Sequence, residues 1–353
     1  MRICYTGGGT LGHVLPALAV HQELKESPGY QCLYIGSTKR IEREAVEGEG
    51  VPFKAIASGK LRRYFSLHMI IDVFAIAIGF FQSLVILFHF KPDVLFSKGG
   101  YVSVPPVYAA HFLHIPIVSH ESDADPGLAT RLTSRYSNKI CIAYEQARGV
   151  LPFAKTVVTG NPIRSQLRGP LRFDMKQRLG TKLPLILVTG GSQGALQINR
   201  LVWDNLDELC NRAFVYHQYG IRRNQETQHE NYYATSYIGD ELRELYNDAD
   251  LVICRSGAGT IAELCFFGKP SLLVPLSLNA SRGDQILNAK RLEEREAALV
   301  LHSEKDFVPM VFSLLDDWEK RSILSKNIRS LDCGDAAKNI ASVIISCIPR
   351  KGE

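Results

Sequence analysis

Paired cysteines are missing from this chain. Its eight cysteines (Cys4, Cys32, Cys141, Cys210, Cys254, Cys265, Cys333 and Cys347) are scattered, mostly inside apolar runs, and none forms a C-x-x-C pair. That argues against a zinc site or a disulfide frame and for reduced core thiols of a cytosolic protein. No basic run is interleaved with aromatics, so nucleic acid is not an expected partner. No secretory leader is expected either, because strand-like residues begin at Arg2. A large excess of one sign is missing too: the net value is +5, with 16 Lys+Arg against 12 Asp+Glu in residues 1–160 and 25 against 24 in the remainder. The small basic excess of the first half fits an anionic partner such as a membrane surface, or is charge noise on a solvated face.

What is present is ordinary for a globular protein: 46% apolar and 22% charged residues over 353 positions, enough for two cores. Short apolar strands alternate with helical patterns. The first half predicts strands at 2–6, 31–35, 53–57, 93–97, 116–120, 139–143 and 155–159, with helices at 14–27, 40–48, 67–90, 103–113 and 127–134. After a linker region at 161–182 the pattern restarts, with strands near 185–189, 213–218, 235–238, 251–254, 271–274 and 298–301. Its helices are expected near 195–210, 241–247, 259–267 and 284–294. The expected class is α/β, with two Rossmann-like doubly wound domains facing a cleft: 1–162 and 163–334. A last helix near 335–348 could join either domain, and 335–350 is expected to pack back on the first.

Glycine-rich turns follow an apolar strand and open a helix at Gly7-Gly8-Gly9-Thr10-Leu11-Gly12-His13 and at Gly190-Gly191-Ser192-Gln193-Gly194. Such turns aim backbone N–H groups and the positive end of a helix dipole at an anion, here a phosphate-bearing ligand. The first also satisfies G-x-G-x-x-G, a weak signal alone. The second strand ends Ile35-Gly36-Ser37-Thr38-Lys39-Arg40, without the carboxylate that binds an NAD ribose. NAD is disfavoured, while Ser37, Lys39 and Arg40 leave NADP open. His13, in the first turn of its helix, is either a general base beside the bound anion or a helix-start histidine without a role. A third turn, Gly99-Gly100-Tyr101, either holds a second phosphate or is a plain connection.

Arg255-Ser256-Gly257-Ala258-Gly259-Thr260 follows another strand, and its small residues let a ligand approach the backbone. Glu263, about one turn into that helix, is suited to accept hydrogen bonds from the cis hydroxyls of a ribose. Ser281 to Asn288 puts polar side chains at a further helix start, suited to sugar hydroxyls. Two D-x-D triplets, Asp123-Ala124-Asp125 and Asp248-Ala249-Asp250, have the form that metal-dependent glycosyltransferases use, but the second reads as a helix–strand connector. The stretch Met69–Phe90 is long enough to span a bilayer, yet the next strand follows at once. It reads as a buried helix, a spanning one, or one with a face on the membrane, where Ile70, Phe74, Ala77, Phe80 and Phe81 share a side.

Taken in order, Gly8-Gly9-Thr10-Leu11-Gly12-His13, Gly99-Gly100-Tyr101-Val102-Ser103, His120-Glu121, Gly160-Asn161-Pro162-Ile163-Arg164, Gly190–Gly194, Arg255-Ser256-Gly257-Ala258 and Asp284-Gln285-Ile286-Leu287-Asn288 resemble a known family. It is glycosyltransferase family 28, of GT-B fold, in its branch that adds N-acetylglucosamine to the lipid-linked muramyl-pentapeptide precursor of peptidoglycan. The resemblance runs from about residue 3 to about residue 300, and the joint order of seven motifs is its specific part. It implies an inverting, metal-independent transferase without a cofactor, peripheral on the cytoplasmic face of the plasma membrane. The implied partners are UDP-N-acetylglucosamine, the lipid-linked acceptor, an anionic membrane surface and other cell-wall synthesis proteins.

By the same resemblance His13 is the catalytic base. Thr10, Leu11, Gly12, Asp123, Arg164, Ser192, the main chain at Ile238, Ala258, Gly259, Thr260, Glu263 and Gln285 bind the donor. Gly99, Gly100, Tyr101 and Glu121 belong to the acceptor side, and Ile70, Phe74 and Phe80 to the membrane face. Two positions depart from the family pattern. Leu11 stands where a second glycine is common, and Asp123 where asparagine is common, so its side chain accepts but does not donate. Alternatives are a UDP-sugar:diacylglycerol glycosyltransferase, an NADP-dependent oxidoreductase and a non-catalytic nucleotide-sugar sensor.

Overall fold

The computed structural model describes residues 1–59, 67–191, 194–220, 228–276 and 283–349, with the backbone alone at 67–70. The chain divides into two compact units, Met1–Arg164 joined by the segment from Cys333 onward, and Ser165–Asp332.

The first unit runs β1 (Arg2–Thr6), α1 (Leu11–Leu24), β2 (Gln31–Gly36), α2 (Arg40–Glu47), β3 (Phe53–Ala55), α3 (Leu67–Phe90), β4 (Val94–Ser97), α4 (Val104–Phe112), β5 (Ile117–Glu121), α5 (Leu128–Thr133), β6 (Lys139–Ile142) and β7 (Thr156–Val158). The second runs α6 (Met175–Leu179), β8 (Leu185–Thr189), α7 (Leu196–Asp204), α8 (Leu206–Cys210), β9 (Phe214–Gln218), β10 (Tyr232–Thr235), α9 (Leu242–Asp248), β11 (Leu251–Cys254), α10 (Ala258–Phe267), β12 (Ser271–Leu273), α11 (Asp284–Glu294), β13 (Leu299–Val300), α12 (Phe307–Asp316) and α13 (Trp318–Arg329). The chain then adds α14 (Ala336–Ser346) to the first unit.

Each unit is built on one parallel sheet, ordered β3-β2-β1-β4-β5-β6-β7 in the first and β10-β9-β8-β11-β12-β13 in the second. Strand order reverses at β1/β4 and at β8/β11. In open α/β sheets ligands bind beyond the carboxyl ends of the strands at such a reversal. The turns after β1 and β4 are therefore neighbours, as are the turns after β8 and β11.

The strands are apolar throughout because both faces of each sheet are covered. In β1 the side chains alternate: Ile3 and Tyr5 pack with α1 and with Ala337, Ile340, Ala341 and Ile344 of α14, whereas Cys4 packs with Ile35, Leu87 and Leu95 on the opposite face. The second core gathers β8, β9 and β11 with α7, α12 and α13 around Ile186, Val188, Val202 and Val311. The edge strand expected at 235–238 lies earlier, at Tyr232–Thr235, leaving Ile238 in the following loop.

Helix α3 has two characters. Ser83 and Leu87 are buried, and Phe80 is half-buried against the core and lies 6.4 Å from the ring of Phe112. Ile71, Phe74, Ile78, Phe81, Val85 and Phe88 recur at three- and four-residue spacing and are all more than half exposed. This outward stripe corrects the expected one: Phe80 packs partly inward, Phe74 stays out, and the side chain of Ile70 lies outside the described residues. The segment Ile71–Phe90 has a mean hydropathy of 2.3 and is long and apolar enough to cross a membrane by length and composition alone.

Candidate active site

In the first unit the turn Gly7–Thr10 is held on every side. The Tyr34 hydroxyl donates to the Gly7 carbonyl (3.1 Å) and the Lys39 ammonium to the Gly9 carbonyl. The Gly9 N–H donates to Glu42 Oε1 at 2.6 Å, and Glu42 Oε2 accepts from the Ser37 N–H (3.0 Å) and the Ser37 hydroxyl (2.7 Å). Glycine is required at Gly9: φ is +95°, and a Cβ there would lie 2.6 Å from the Tyr101 ring. Of the three residues that left an NADP 2′-phosphate open, Ser37 and Lys39 are thus used inside the protein, and Arg40 pairs with Glu44 on the exposed face of α2 (2.6 Å).

The turns after β1 and β4 touch. A Cβ on Gly100 would lie 2.5 Å from the Gly8 carbonyl and 3.0 Å from Cδ2 of His13, so the imidazole of His13 rests against Gly100. Thr10 is an extended N-cap that makes no side-chain cap bond and is exposed, as is Gly12; Leu11 is half-buried. The sequence pattern therefore brings together Thr10, His13, Gly99, Gly100 and Tyr101.

Beside them, Lys98, directly after β4, is almost fully buried, and its ammonium donates to the Ser122 hydroxyl. Burial pushes its pKa below the ordinary lysine value, against the opposing pull of Glu121 and Asp123. Glu121 accepts from the Asp123 and Gly127 N–H groups (3.1 Å each), so both its oxygens shape the loop 122–127. His120 is buried with Nε2 2.9 Å from the Gly160 carbonyl; burial first, then the charge of Lys98, hold its pKa well below the usual imidazole range. Asp125 pairs with Arg131. In the second D-x-D triplet, Asp248 accepts from the Met175 N–H, and Asp250 accepts from Lys176 (2.6 Å) and the Leu185 N–H (2.8 Å), which gives these side chains structural work. Among the described residues no group of three or more His, Cys, Asp or Glu side chains is placed to hold a metal ion.

In the second unit Arg255 leaves β11 buried. Its Nη1 donates to Gln197 Oε1 (2.9 Å) and to the carbonyls of Val274 (2.7 Å) and Pro275 (3.1 Å), all neutral acceptors. Burial lowers its pKa from the ordinary arginine value. The Ser256 hydroxyl donates to the Gln285 carbonyl (2.7 Å), and Asn288 donates back to the Ser256 carbonyl (3.2 Å), which joins the starts of α10 and α11. The Gln285 side-chain oxygen accepts from the Leu276 N–H (3.2 Å).

Gly257 caps α10 in an extended conformation without a side-chain bond, and a Cβ on Gly257 or Gly259 would meet nothing within 4 Å. Gly259 is exposed, and Ala258 and Thr260 are half-buried. Among the described residues, therefore, the start of this helix has N–H groups without a side-chain cap and with room before them. Glu263 is buried one turn further on, where its Oε2 accepts from the Tyr246 hydroxyl at 2.9 Å. Tyr246 is itself buried and stacked on Phe267, ring centroids 5.0 Å apart. Ile238 is buried in its loop, Arg164 is the last residue of the first unit's main segment, and Ser192 lies outside the described residues.

Three of these side chains carry no motif. Glu42 sits in the charged run Arg40-Ile41-Glu42-Arg43-Glu44, which resembles a solvated helix face. Lys98 looks like the polar end of a strand, and Tyr246 is one aromatic in a helix. The available signal was position: Lys98 directly precedes Gly99-Gly100, and Glu42 follows the second strand by one turn.

The sequence profile of the glycosyltransferase family 28 N-terminal domain matches residues 3–142, and that of the family's C-terminal domain matches residues 185–317. The chain is 41% identical, over 97% of its own length and 98% of the relative's, to a UDP-N-acetylglucosamine--N-acetylmuramyl-(pentapeptide) pyrophosphoryl-undecaprenol N-acetylglucosamine transferase of Clostridium botulinum strain Langeland. A protein of the same name from Lachnospira eligens is 44% identical over 86% of each chain. The crystal structure of Acinetobacter baumannii MurG superimposes with a TM-score of 0.75 at 25% identity, covering 98% of this chain and 99% of that one. Both family profiles fall on the two parallel sheets and their switch-point turns, and the chain belongs to glycosyltransferase family 28.

Proposed function

We infer that this protein is a hexosyltransferase that moves N-acetylglucosamine from UDP-N-acetylglucosamine to the 4-hydroxyl of a lipid-linked (undecaprenyl-diphosphate) N-acetylmuramoyl-pentapeptide in peptidoglycan synthesis. The observation that carries this is whole-length identity of 41% to transferases of that name.

The acceptor hydroxyl oxygen attacks the anomeric carbon from the face opposite the diphosphate. The new glycosidic bond forms as the anomeric C–O bond to UDP breaks, and that electron pair leaves on the β-phosphate. His13 takes the hydroxyl proton, with Thr10 beside the reacting sugar. The bare start of α10 and Arg164 bind the diphosphate, so the growing negative charge is met by backbone dipoles and a guanidinium. This is why we propose a metal-independent reaction. Glu263, oriented by Tyr246, takes the ribose, the main chain at Ile238 takes uracil, and Gln285 takes sugar hydroxyls. The Gly99–Tyr101 turn and the loop shaped by Glu121 form the acceptor side, with Asp123 accepting from a sugar hydroxyl.

The stripe Ile71, Phe74, Ile78, Phe81, Val85 and Phe88 rests shallowly in the cytoplasmic face of an anionic membrane, where the lipid acceptor is held. Measuring UDP release from a panel of UDP-sugars tests the reading. UDP-N-acetylglucosamine should be consumed only when the lipid-diphosphate muramyl acceptor is added. Release driven by diacylglycerol with UDP-glucose or UDP-galactose would replace this acceptor and donor with another pair.

A further inference from the structure

We propose that Glu42 is a positioning residue: its carboxylate fills the anion site of the Gly7–Thr10 turn, closing that turn to phosphate and fixing the backbone that presents Thr10 and His13. A glycine turn between a parallel strand and a helix, at a point where strand order reverses, is the place where this architecture binds a phosphate. Here the protein supplies the anion itself. Three donors converge on Glu42: the Gly9 N–H at 2.6 Å, the Ser37 N–H at 3.0 Å and the Ser37 hydroxyl at 2.7 Å. Its side chain is fully buried.

The fit is steric as well as polar. A Cβ on Gly8 would lie 2.7 Å from Glu42 Oε2, and one on Gly36 would lie 3.5 Å from the same atom. The carboxylate is therefore wedged between the carboxyl ends of β1 and β2, where a phosphate would otherwise enter. Glu42 stands in the first turn of α2, whose dipole favours a negative charge there, and the neighbouring Lys39 ammonium holds the Gly9 carbonyl.

The consequence reaches the reacting groups through direct contact. Glu42 abuts Gly8 and binds Gly9; the Gly8 carbonyl lies against Gly100, and Gly100 lies against the His13 imidazole. Removing the carboxylate strands the Gly9 and Ser37 N–H groups in a buried site, and the turn must shift to satisfy them. On this proposal, an anionic ligand approaching the β1/β4 reversal is directed to the Gly99–Gly100 turn.

Glu42→Ala tests this by chemical rescue. The variant should lose at least about tenfold in turnover, with UDP affinity in calorimetry unchanged. Sodium formate should restore at least about fivefold of the lost turnover and raise the thermal midpoint, while doing neither to the wild type. Inorganic phosphate should raise the midpoint of Glu42→Ala more than that of the wild type. A structural cavity alone would not respond selectively to small anions. Glu42→Gln keeps the shape but turns an amide N–H₂ toward N–H donors, and it should lose turnover without gaining formate rescue. Should Glu42→Ala not fold, Ser37→Ala, which keeps the carboxylate and removes one donor, should lose turnover by less than tenfold. Full activity in Glu42→Ala or Glu42→Gln, or no formate-specific gain in a folded Glu42→Ala, overturns the proposal. The activity arm rests on the transferase reading; the thermal arm does not, so a failure of that reading would leave the anion-dependent midpoints to decide.

Discussion

The turn Gly7–Thr10 and the turn Arg255–Thr260 look alike as sequence, yet their surroundings are opposite. Around the first, Glu42 takes the Gly9 N–H and the Tyr101 ring crowds Gly9. Before the second, a Cβ on Gly257 or Gly259 meets nothing among the described residues, and none of them caps α10 with a side chain. Side-chain caps do not separate the two turns: Asp174, Asp317 and Asp335 cap α6, α13 and α14, whereas α1, like α10, starts without such a bond. On the proposed reading, the open glycine start of α10 is the place kept for the donor's diphosphate. A glycine turn filled by a carboxylate is a place kept rigid for the side chains it carries. The proposed reading divides the labour accordingly, with the base and the acceptor on the first unit and the nucleotide on the second.

His13→Ala is the variant expected to break this comparison most deeply. Turnover should fall by roughly 10²–10⁴-fold, the usual contribution of a positioned base, with UDP affinity unchanged in calorimetry. Near-normal turnover would remove His13 from the chemistry. Glu263→Ala should do the reverse. Losing hydrogen bonds to a charged acceptor costs roughly 1.5–3 kcal/mol, so UDP and UDP-N-acetylglucosamine should both bind more weakly by about 10- to 150-fold. Unchanged UDP affinity would free Glu263 from the ribose.

The glycines sharpen the contrast. Gly9→Ala forces a side chain into a positive-φ position against Tyr101 and should destabilise the protein by more than about 1 kcal/mol, seen as a lower thermal midpoint. Gly259→Ala points into open space and should leave the midpoint unchanged while weakening UDP binding. A midpoint loss in Gly259→Ala would mean the α10 start is a packed turn like the first.

On the outer face of the first unit, Phe74→Asp with Phe81→Asp should release the protein from anionic vesicles in sedimentation without changing its thermal midpoint. High salt should weaken wild-type binding, since Lys60, Arg62 and Arg63 precede the helix and each basic residue near such a surface contributes about 1 kcal/mol. Retention of the double variant would move the membrane contact elsewhere. The smallest effect expected is none: activity should survive EDTA. Loss on chelation with rescue by manganese or magnesium would return Asp123-Ala124-Asp125 to consideration as a metal site.

Most of the scaffold was legible because strands covered on both faces are written as short apolar runs punctuated by glycine. The exceptions have physical causes. Strand β10 is a partly exposed edge, so its residues do not form an apolar run, and the buried Ile238 drew the expectation forward. Helices α12 and α13 follow β13 with no strand between them and fall outside a strictly alternating pattern. Site residues carried on glycine turns were readable, since backbone approach leaves a compositional trace. Glu42, Lys98 and Tyr246 were not, because a buried charge or hydroxyl resembles an exposed one until its partners, brought from other elements, are known.

Product analysis tests the central claim most directly. UDP-N-acetylglucosamine and the lipid-diphosphate N-acetylmuramoyl-pentapeptide are incubated with the protein, and the lipid fraction is read by mass spectrometry and NMR. The account predicts an acceptor heavier by one N-acetylhexosamine residue, β-linked to the muramyl 4-hydroxyl, and an equal amount of UDP. An unmodified acceptor, or an α-linked product, would contradict it.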